Sequence, residues 1–344
     1  MKFKYILITL RFLFACIPLN AQNIEDFELT VPAAKVPGSL YNKLTIVDIR
    51  PDTTNLGFVQ TGFFNRKATV IAKTPLSVQL KNIFGALNTP AENQTELLLQ
   101  LRLLSLAEIT GAMTEHGYFK LRAALYANKA GQYQQIKTVD TLLVIASGID
   151  VTQELLKSGK DSLVNFLANN LTLNPTGPSF SLHDLLNIDS VEKSKTKLYT
   201  TTAYADGLYL TYKSFANQLP DKQITVEYED VNLGDIKTIG ENGKSQKVKA
   251  RKVYAIVYHG QPYISSVGAY FPLKKENGEF TFTGDVRVGP GTAAIAVGVM
   301  FGALGALVAN TTPRATYEIR LDHLNGDFIR LKEIPYVPQP EYHE

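Results

Sequence analysis

The residues able to do chemistry are few and dispersed. Five histidines, His116, His183, His259, His323 and His343, are never two to five positions apart, so no local pair has the spacing that presents two imidazoles to one metal ion. Two of them adjoin a carboxylate, as His183-Asp184 and Asp322-His323, the composition of a general base and its orienting acid. No serine sits in a Gly-x-Ser-x-Gly turn to be activated by either. Glu227, Glu229 and Asp230 cluster at a predicted strand end, where paired carboxylates serve acid–base work but also solvate an exposed edge. The single cysteine, Cys16, lies in the N-terminal leader, so a cleaved chain has no disulfide, thiol chemistry or thiolate metal site. Gly289-Pro-Gly291-Thr-Ala-Ala294 mimics the glycine turn of a dinucleotide site. Pro290, however, removes an amide from it, and no acid follows about twenty residues on to hold a ribose. These residues point to no catalytic, cofactor or metal site, and the expected function is non-enzymatic. For a ligand site the aromatic candidates are Tyr199, Tyr204, Tyr209, Tyr212 and Tyr254, which fall in predicted strands or beside them.

Lys2 and Lys4 precede a short apolar core and a small-residue boundary, Leu19-Asn20-Ala21, the pattern of a secretory leader. Export is expected, with the mature chain beginning at Gln22. Leu13-Phe-Ala-Cys16 alternatively has the form of a lipobox, in which Cys16 is lipidated and becomes the first mature residue. The chain has 35 Lys and Arg against 32 Asp and Glu, and three of the basic residues, Lys2, Lys4 and Arg11, belong to the leader. The remainder is therefore electrically balanced, without the basic field that nucleic-acid binding requires.

The elements that would position a site divide the chain in two. Residues 22–173 read as a mixed α/β sheet domain, 174–195 as a linker, and 196–335 as a mostly antiparallel β domain, followed by a tail at 336–344. This is an α+β chain. In the first part Leu44–Arg50 alternates as a strand closed by Pro51 and Asp52, and the spacing of Asp48 and Arg50 permits a same-face ion pair on what reads as a solvated strand edge. Pro75 opens an amphipathic helix carrying Leu76, Leu80, Ile83, Phe84 and Leu87, which ends before Pro90. Leu97–Ala107 reads as a buried strand, Tyr118–Tyr126 and Tyr133–Ile145 as a hairpin, and Thr152–Leu171 as a helix broken near Gly159. Asn174-Pro-Thr-Gly-Pro178 stops that helix and marks the linker.

In the second part Leu198–Ala205 and Leu208–Tyr212 flank Asp206-Gly207 as strands. Ile224–Tyr228, Lys252–Tyr258 and Gln261–Ser265 also read as strands. Tyr270–Leu273 pairs with Glu279–Thr283 across Asn277-Gly278, and Ala315–Ile334 forms a hairpin turned at Asn325-Gly326. A basic run, Lys244 to Lys252, faces the acidic Glu227–Asp235 segment as a solvated hairpin. The uncharged run 292–309 is eighteen residues, about 27 Å as a helix. Ala294, Gly298, Gly302 and Ala306 recur every fourth position and form one smooth face for close packing. A buried helix, a membrane-inserted helix and a self-association surface all satisfy that pattern.

The Val47-Asp-Ile-Arg-Pro51 strand, followed by a helix and a sheet over residues 40–170, resembles the YajG-type envelope lipoproteins and the auxiliary lipoproteins of ABC transporters. Asp206-Gly-Leu-Tyr-Leu-Thr-Tyr-Lys-Ser-Phe215 with Pro220, Lys252-Val-Tyr-Ala255 and Tyr263-Ile264 resembles exported Bacteroidota proteins of unknown function, as does the Ala21-Gln22 junction. These resemblances imply a periplasmic or outer-membrane accessory role and carry over no catalytic residue. The partner they imply is an envelope protein or the membrane, with a small envelope ligand such as a glycan or lipid as the alternative. Asp52-Thr53-Thr54, Asp140-Thr141-Leu142, Asp161-Ser162-Leu163 and Asp189-Ser190-Val191 resemble the short O-glycosylation sequon of Bacteroidota, with Thr53 and Ser190 favoured because they lie beside turns.

Overall fold

The computed structural model describes residues 23–334 apart from 63–65, 111–114, 148–149, 227–232, 234, 241–242, 267 and 288–313. The expected leader with Cys16, the run 292–309 with Ala294, Gly298, Gly302 and Ala306, and the tail 336–344 lie outside the described residues, as do Glu227, Glu229 and Asp230. The described chain is mostly β, with one mixed sheet, several antiparallel sheets and helices packed against them.

The mixed sheet is built on β5 (Asn88–Thr110), whose Leu-rich sequence is apolar on both faces because both faces are covered. One edge of β5 pairs in parallel with β2 (Val36–Asp48) and, further along, with β3 (Asn55–Thr61). Gly57 makes the second pairing close. A Cβ there would stand 1.8 Å from the Leu106 carbonyl oxygen, and its φ of +121° is open only to glycine. Beyond β3 come β4 (Arg66–Ile71) and β1 (Asn23–Asp26). The other edge of β5 pairs with β6 (Glu115–Lys129), and β6 with β7 (Gln132–Ser147), both antiparallel over nearly their whole length. The 118–145 hairpin is thus longer than the sequence suggests.

Helices α1 (Leu76–Leu87) and α2 (Thr152–Ala168) lie on one face of this sheet. Their Leu80, Ile83, Leu155 and Leu163 pack with Leu97, Leu99, Leu101 and Leu121 in one core. Helix α2 is not broken at Gly159. The missing side chain instead admits Phe119, whose ring carbons would come within 2.8 Å of a Cβ at that position. Residues 174–195, expected as a linker, hold β8 (Ser179–Phe180), α3 (Leu182–Leu186) and α4 (Ile188–Lys193). Leu185 and Ile188 close the opposite face over Leu98, Ala124 and Tyr126.

Residues 198–205 do not form the expected strand. Leu198 and Tyr199 are both buried, which consecutive strand residues cannot be against one core, and a short helix α5 (Lys197–Thr200) turns both inward. Asp206-Gly207 is consequently no hairpin turn: after β9 (Gly207–Tyr209) come α6 (Tyr212–Ala216) and a three-stranded antiparallel sheet of β10 (Thr225–Val226), β11 (Ile236–Ile239) and β12 (Ser245–Lys247), and β9 pairs with the distant β13 (Ala255–Tyr258). β13 continues through β14 (Gln261–Ser266) to β15 (Ala269–Pro272). Asn277-Gly278 is a turn with both φ angles positive, at 52° and 75°. It joins β16 (Lys274–Glu276), not 270–273, to β17 (Glu279–Arg287), because Tyr270–Leu273 is already taken up by pairing with β14. β17 pairs with β18 (Arg314–Leu321), and β18 with β19 (Phe328–Glu333), the hairpin expected of 315–334, though it is closed by the loop 322–327 and not by a tight Asn325-Gly326 turn. Phe280, Phe282, Tyr317 and Ile319 from this sheet meet Tyr209, Phe215, Val257 and Ile264 in a second core.

Candidate functional site

The richest polar constellation lies where the β18–β19 turn meets the mixed sheet. It starts from a local motif. At the end of β2 the Asp48–Arg50 spacing gives a two-pronged ion pair, Arg50 Nε to Oδ1 at 2.9 Å and Nη2 to Oδ2 at 2.7 Å. The same-face pair foreseen in the sequence exists, but as a buried one: the Arg50 side chain is 2% exposed and not part of a solvated edge. Pro51 ends the strand, and Asp52 accepts the N–H groups of Thr54 and Asn55.

Arg102 arrives through a β-bulge. The β5–β6 register slips between Leu101 and Leu103, and the extra residue turns its side chain toward the same face as Arg122, the cross-strand partner of Leu103. Arg102 forks onto Glu192 at 2.8 and 2.6 Å and reaches Asp189 at 2.6 Å, both on α4. Arg122 donates to Asp140 on β7 at 2.9 Å and, across 200 positions of sequence, to Asp322 at 2.7 Å. Lys120 also holds Asp140, at 2.9 Å. His323 meets Glu192 at 2.8 Å. Burial pulls the Arg102 pKa down, but hydrogen bonds and charge from Glu192 and Asp189 outweigh it and leave the pKa raised. Arg122 is raised in the same way by Asp322 and Asp140. Burial pushes the Glu192 carboxyl up, and His323 and Arg102 more than offset this, bringing it down to about 2.

The turn carrying Asp322 and His323 is fixed by tyrosines. Tyr212 Oη donates to the His323 carbonyl at 2.5 Å and Tyr254 Oη to the Gly326 carbonyl at 2.8 Å. Gly326 has φ +77°, and a Cβ there would stand 2.4 Å from Tyr212. The five tyrosines singled out as ligand aromatics are core members: Tyr199 and Tyr204 stack edge-on against Phe280, Tyr209 against Phe215, and Tyr212 against Tyr254. Burial pushes the Tyr209 phenol up to about 12.

Between these groups is a cleft of about 240 Å³ lined by Arg50, Arg102, Arg122 and Arg320, with Ile49, Leu103, Leu104 and Ile329 as its apolar wall. Arg50 Nη1, Arg102 Nε and Arg122 Nε are buried without an acceptor. Each such orphaned donor costs about 1–3 kcal/mol.

The adjacent His–Asp pairs do not act as pairs. Asp184 is the third residue of a capping box with Ser181, and His183 is exposed; Asp322 faces Arg122 while His323 faces Glu192. Among the described residues, two groups bring potential ligands within metal-binding reach of one another: Asp189, Glu192 and His323, and Glu108, Glu115 and Asp150. In the first, the Arg102 guanidinium already stands where a cation would. In the second, burial pushes the Glu108 carboxyl up, while Thr152 Oγ1 at 2.6 Å and the Gln60 N–H at 3.2 Å partly offset this. In the basic run, Lys247 pairs with Asp235 at 2.5 Å, both exposed. Of the sequon residues Thr53 and Ser190 are exposed, whereas Thr141 lies within β7 and the Ser162 hydroxyl donates to the Ser158 carbonyl in α2.

Arg102, Lys120, Arg122 and Glu192 were not among the sequence candidates. The available signal was charge on apolar strands: Lys120 and Arg122 stand two apart, on one face, in Tyr-Phe-Lys-Leu-Arg-Ala-Ala-Leu.

No family model matches the chain, and no curated protein matches it. Among solved structures, the crystal structure of a Xanthomonas campestris protein, XCC0632, described by the family model DUF330, is similar over 42% of this chain and 91% of that one, at 10% identity and a TM-score of 0.27. A likeness that distant carries no functional argument.

Proposed function

We propose that the chain is a non-catalytic accessory or scaffold protein of the cell envelope, exported by its N-terminal leader and acting through protein or membrane contacts. The observation that supports contact with a protein is the outer edge of β7. β8 covers only Tyr133 and Gln134, and Gln135 bonds to the 176–178 segment. From Ile136 onward β7 has no further strand partner among the described residues. Val139, Leu142, Leu143 and Ile145 are half-buried there and Val144 is 50% exposed. A long apolar edge of this kind takes an added strand from another chain. In the same proposal the chain is a mixed α/β domain followed by a mostly antiparallel β domain.

Val144→Lys tests the edge, since an exposed lysine blocks strand addition without entering the core. Tagged wild-type and Val144→Lys proteins, crosslinked in native envelopes, are to be compared by quantitative mass spectrometry. A partner recovered with the wild type and depleted about tenfold in the variant is expected. Equal recovery would remove the edge as the contact, and recovery from the cytoplasmic fraction alone would remove the envelope role. The arginine-lined cleft favours a second function, a binding module for a small envelope ligand such as a glycan or lipid.

A further inference from the structure

We propose that the cleft where Arg50, Arg102, Arg122 and Arg320 meet binds a phosphoryl group, carried by a small ester or by a lipid headgroup. The inference rests on the binding-module function and is independent of the β7 edge. Three acids line the cleft as well, and each is already engaged: Asp322 by Arg122, Asp189 by Arg102, and Asp52 by two backbone N–H groups. The acids behind them are held too, Asp48 by Arg50, Asp140 by Lys120 and Arg122, and Glu192 by Arg102 and His323.

The donors are not. Arg50, whose side chain is 2% exposed, leaves Nη1 without an acceptor, and Arg102 and Arg122, 10% and 12% exposed, each leave Nε. Buried donors without acceptors are rare in folded proteins, and three of them belong to arginines that line this one cleft. They come from the end of β2, from β5 and from β6, and Arg320 on β18 faces them from the second half of the chain. Donors arriving from separate strands suit an anion with three or four oxygens in a tetrahedron better than the two coplanar oxygens of a carboxylate. Guanidinium is the side chain that recognises phosphate by such forks. The apolar wall of Ile49, Leu103, Leu104 and Ile329 fits the hydrocarbon beside the phosphate. The bulge at Arg102 is then a device for turning a third guanidinium into the cleft.

The test titrates the full exported chain, at fixed ionic strength, with glycerol 3-phosphate, with acetate, and with phosphatidylcholine vesicles lacking or containing phosphatidic acid. Amide chemical shifts report the soluble ligands and co-sedimentation reports the vesicles. Saturable binding of either phosphate source is expected, weakened about tenfold or more by Arg50→Gln and a few-fold by Arg320→Gln. Arg320 is 35% exposed and its nearest carboxylate, that of Glu279, is 3.9 Å away, so Arg320→Gln keeps the fold should Arg50→Gln fail to. Binding of vesicles alone assigns the site to a headgroup, and binding of the soluble ester alone to a free ligand. No response to either source, an equal response to acetate, or undiminished binding in the folded variants overturns the proposal. A chain that ignores phosphate yet saturates with a neutral glycan or lipid would sink this inference and spare the binding module.

Discussion

Replacing Asp322 with alanine should be among the most damaging single changes on the surface between the two halves. Its carboxylate is 4% exposed and faces Arg122, 12% exposed, at 2.7 Å. It also accepts the Leu324 N–H at 3.0 Å. Removing one member of a buried ion pair typically costs about 3–5 kcal/mol, because the remaining charge stays buried without compensation. Arg122 keeps Asp140 at 2.9 Å, which places the loss near the lower bound, and the orphaned Leu324 N–H adds about 1 kcal/mol. The expected total is therefore about 3–4 kcal/mol. Asp322→Asn, which preserves shape and an acceptor, should cost less. The combination Arg122→Met with Asp322→Leu removes both charges and should cost less than the sum of its singles. Urea unfolding followed by far-UV circular dichroism and by tyrosine fluorescence suits a chain with 17 Tyr and no Trp, and coincidence of the two signals licenses the free energies. A loss below about 1 kcal/mol in Asp322→Ala, or strict additivity in the double variant, would show that the pair does not join β6 to the β18–β19 turn energetically.

Two further predictions concern the neighbouring Glu192 and the packing of α2. The Glu192 carboxyl, brought from the ordinary 4.5 to about 2 in the folded chain, stabilises the protein fully above pH 4.5 and loses that contribution as pH falls toward 2. The shift corresponds to at most about 3 kcal/mol, discounted to about 1–2 because the side chain is 27% exposed, so Glu192→Gln should flatten the stability–pH curve over that window. An unchanged slope in the variant would refute the assignment. Gly159→Ala sets a helix-propensity gain of about 1 kcal/mol against a clash with the Phe119 ring at 2.8 Å, and overpacking of about 1–3 kcal/mol should prevail. A raised melting temperature would mean that Phe119 yields freely.

Wherever one periodicity dominated, local physics was enough. The apolar spacing of α1 after Pro75, the continuous leucines of β5 and the Asn-Gly turn at 277–278 all appear where the residues alone put them, whereas 325–326 is only part of the longer loop 322–327. Asp48 and Arg50 were legible as a pair for the same reason, since a spacing of two places side chains on one face. What sequence left undecided depended on distant partners. The strand reading of 198–205 failed because two adjacent residues share one core, which only the packing of β13 and β17 imposes. Gly159 reads as a helix breaker until Phe119 is set against it. The cleft was invisible because its arginines come from three strands and from the residues just past a fourth, up to 270 positions apart, and one of them is aimed by a bulge that no spacing rule encodes. Sequence determines which side chains alternate; the tertiary structure decides which charges those faces meet, because ion pairs such as Arg122 with Asp322 are made by chain closure and not by neighbourhood along the chain.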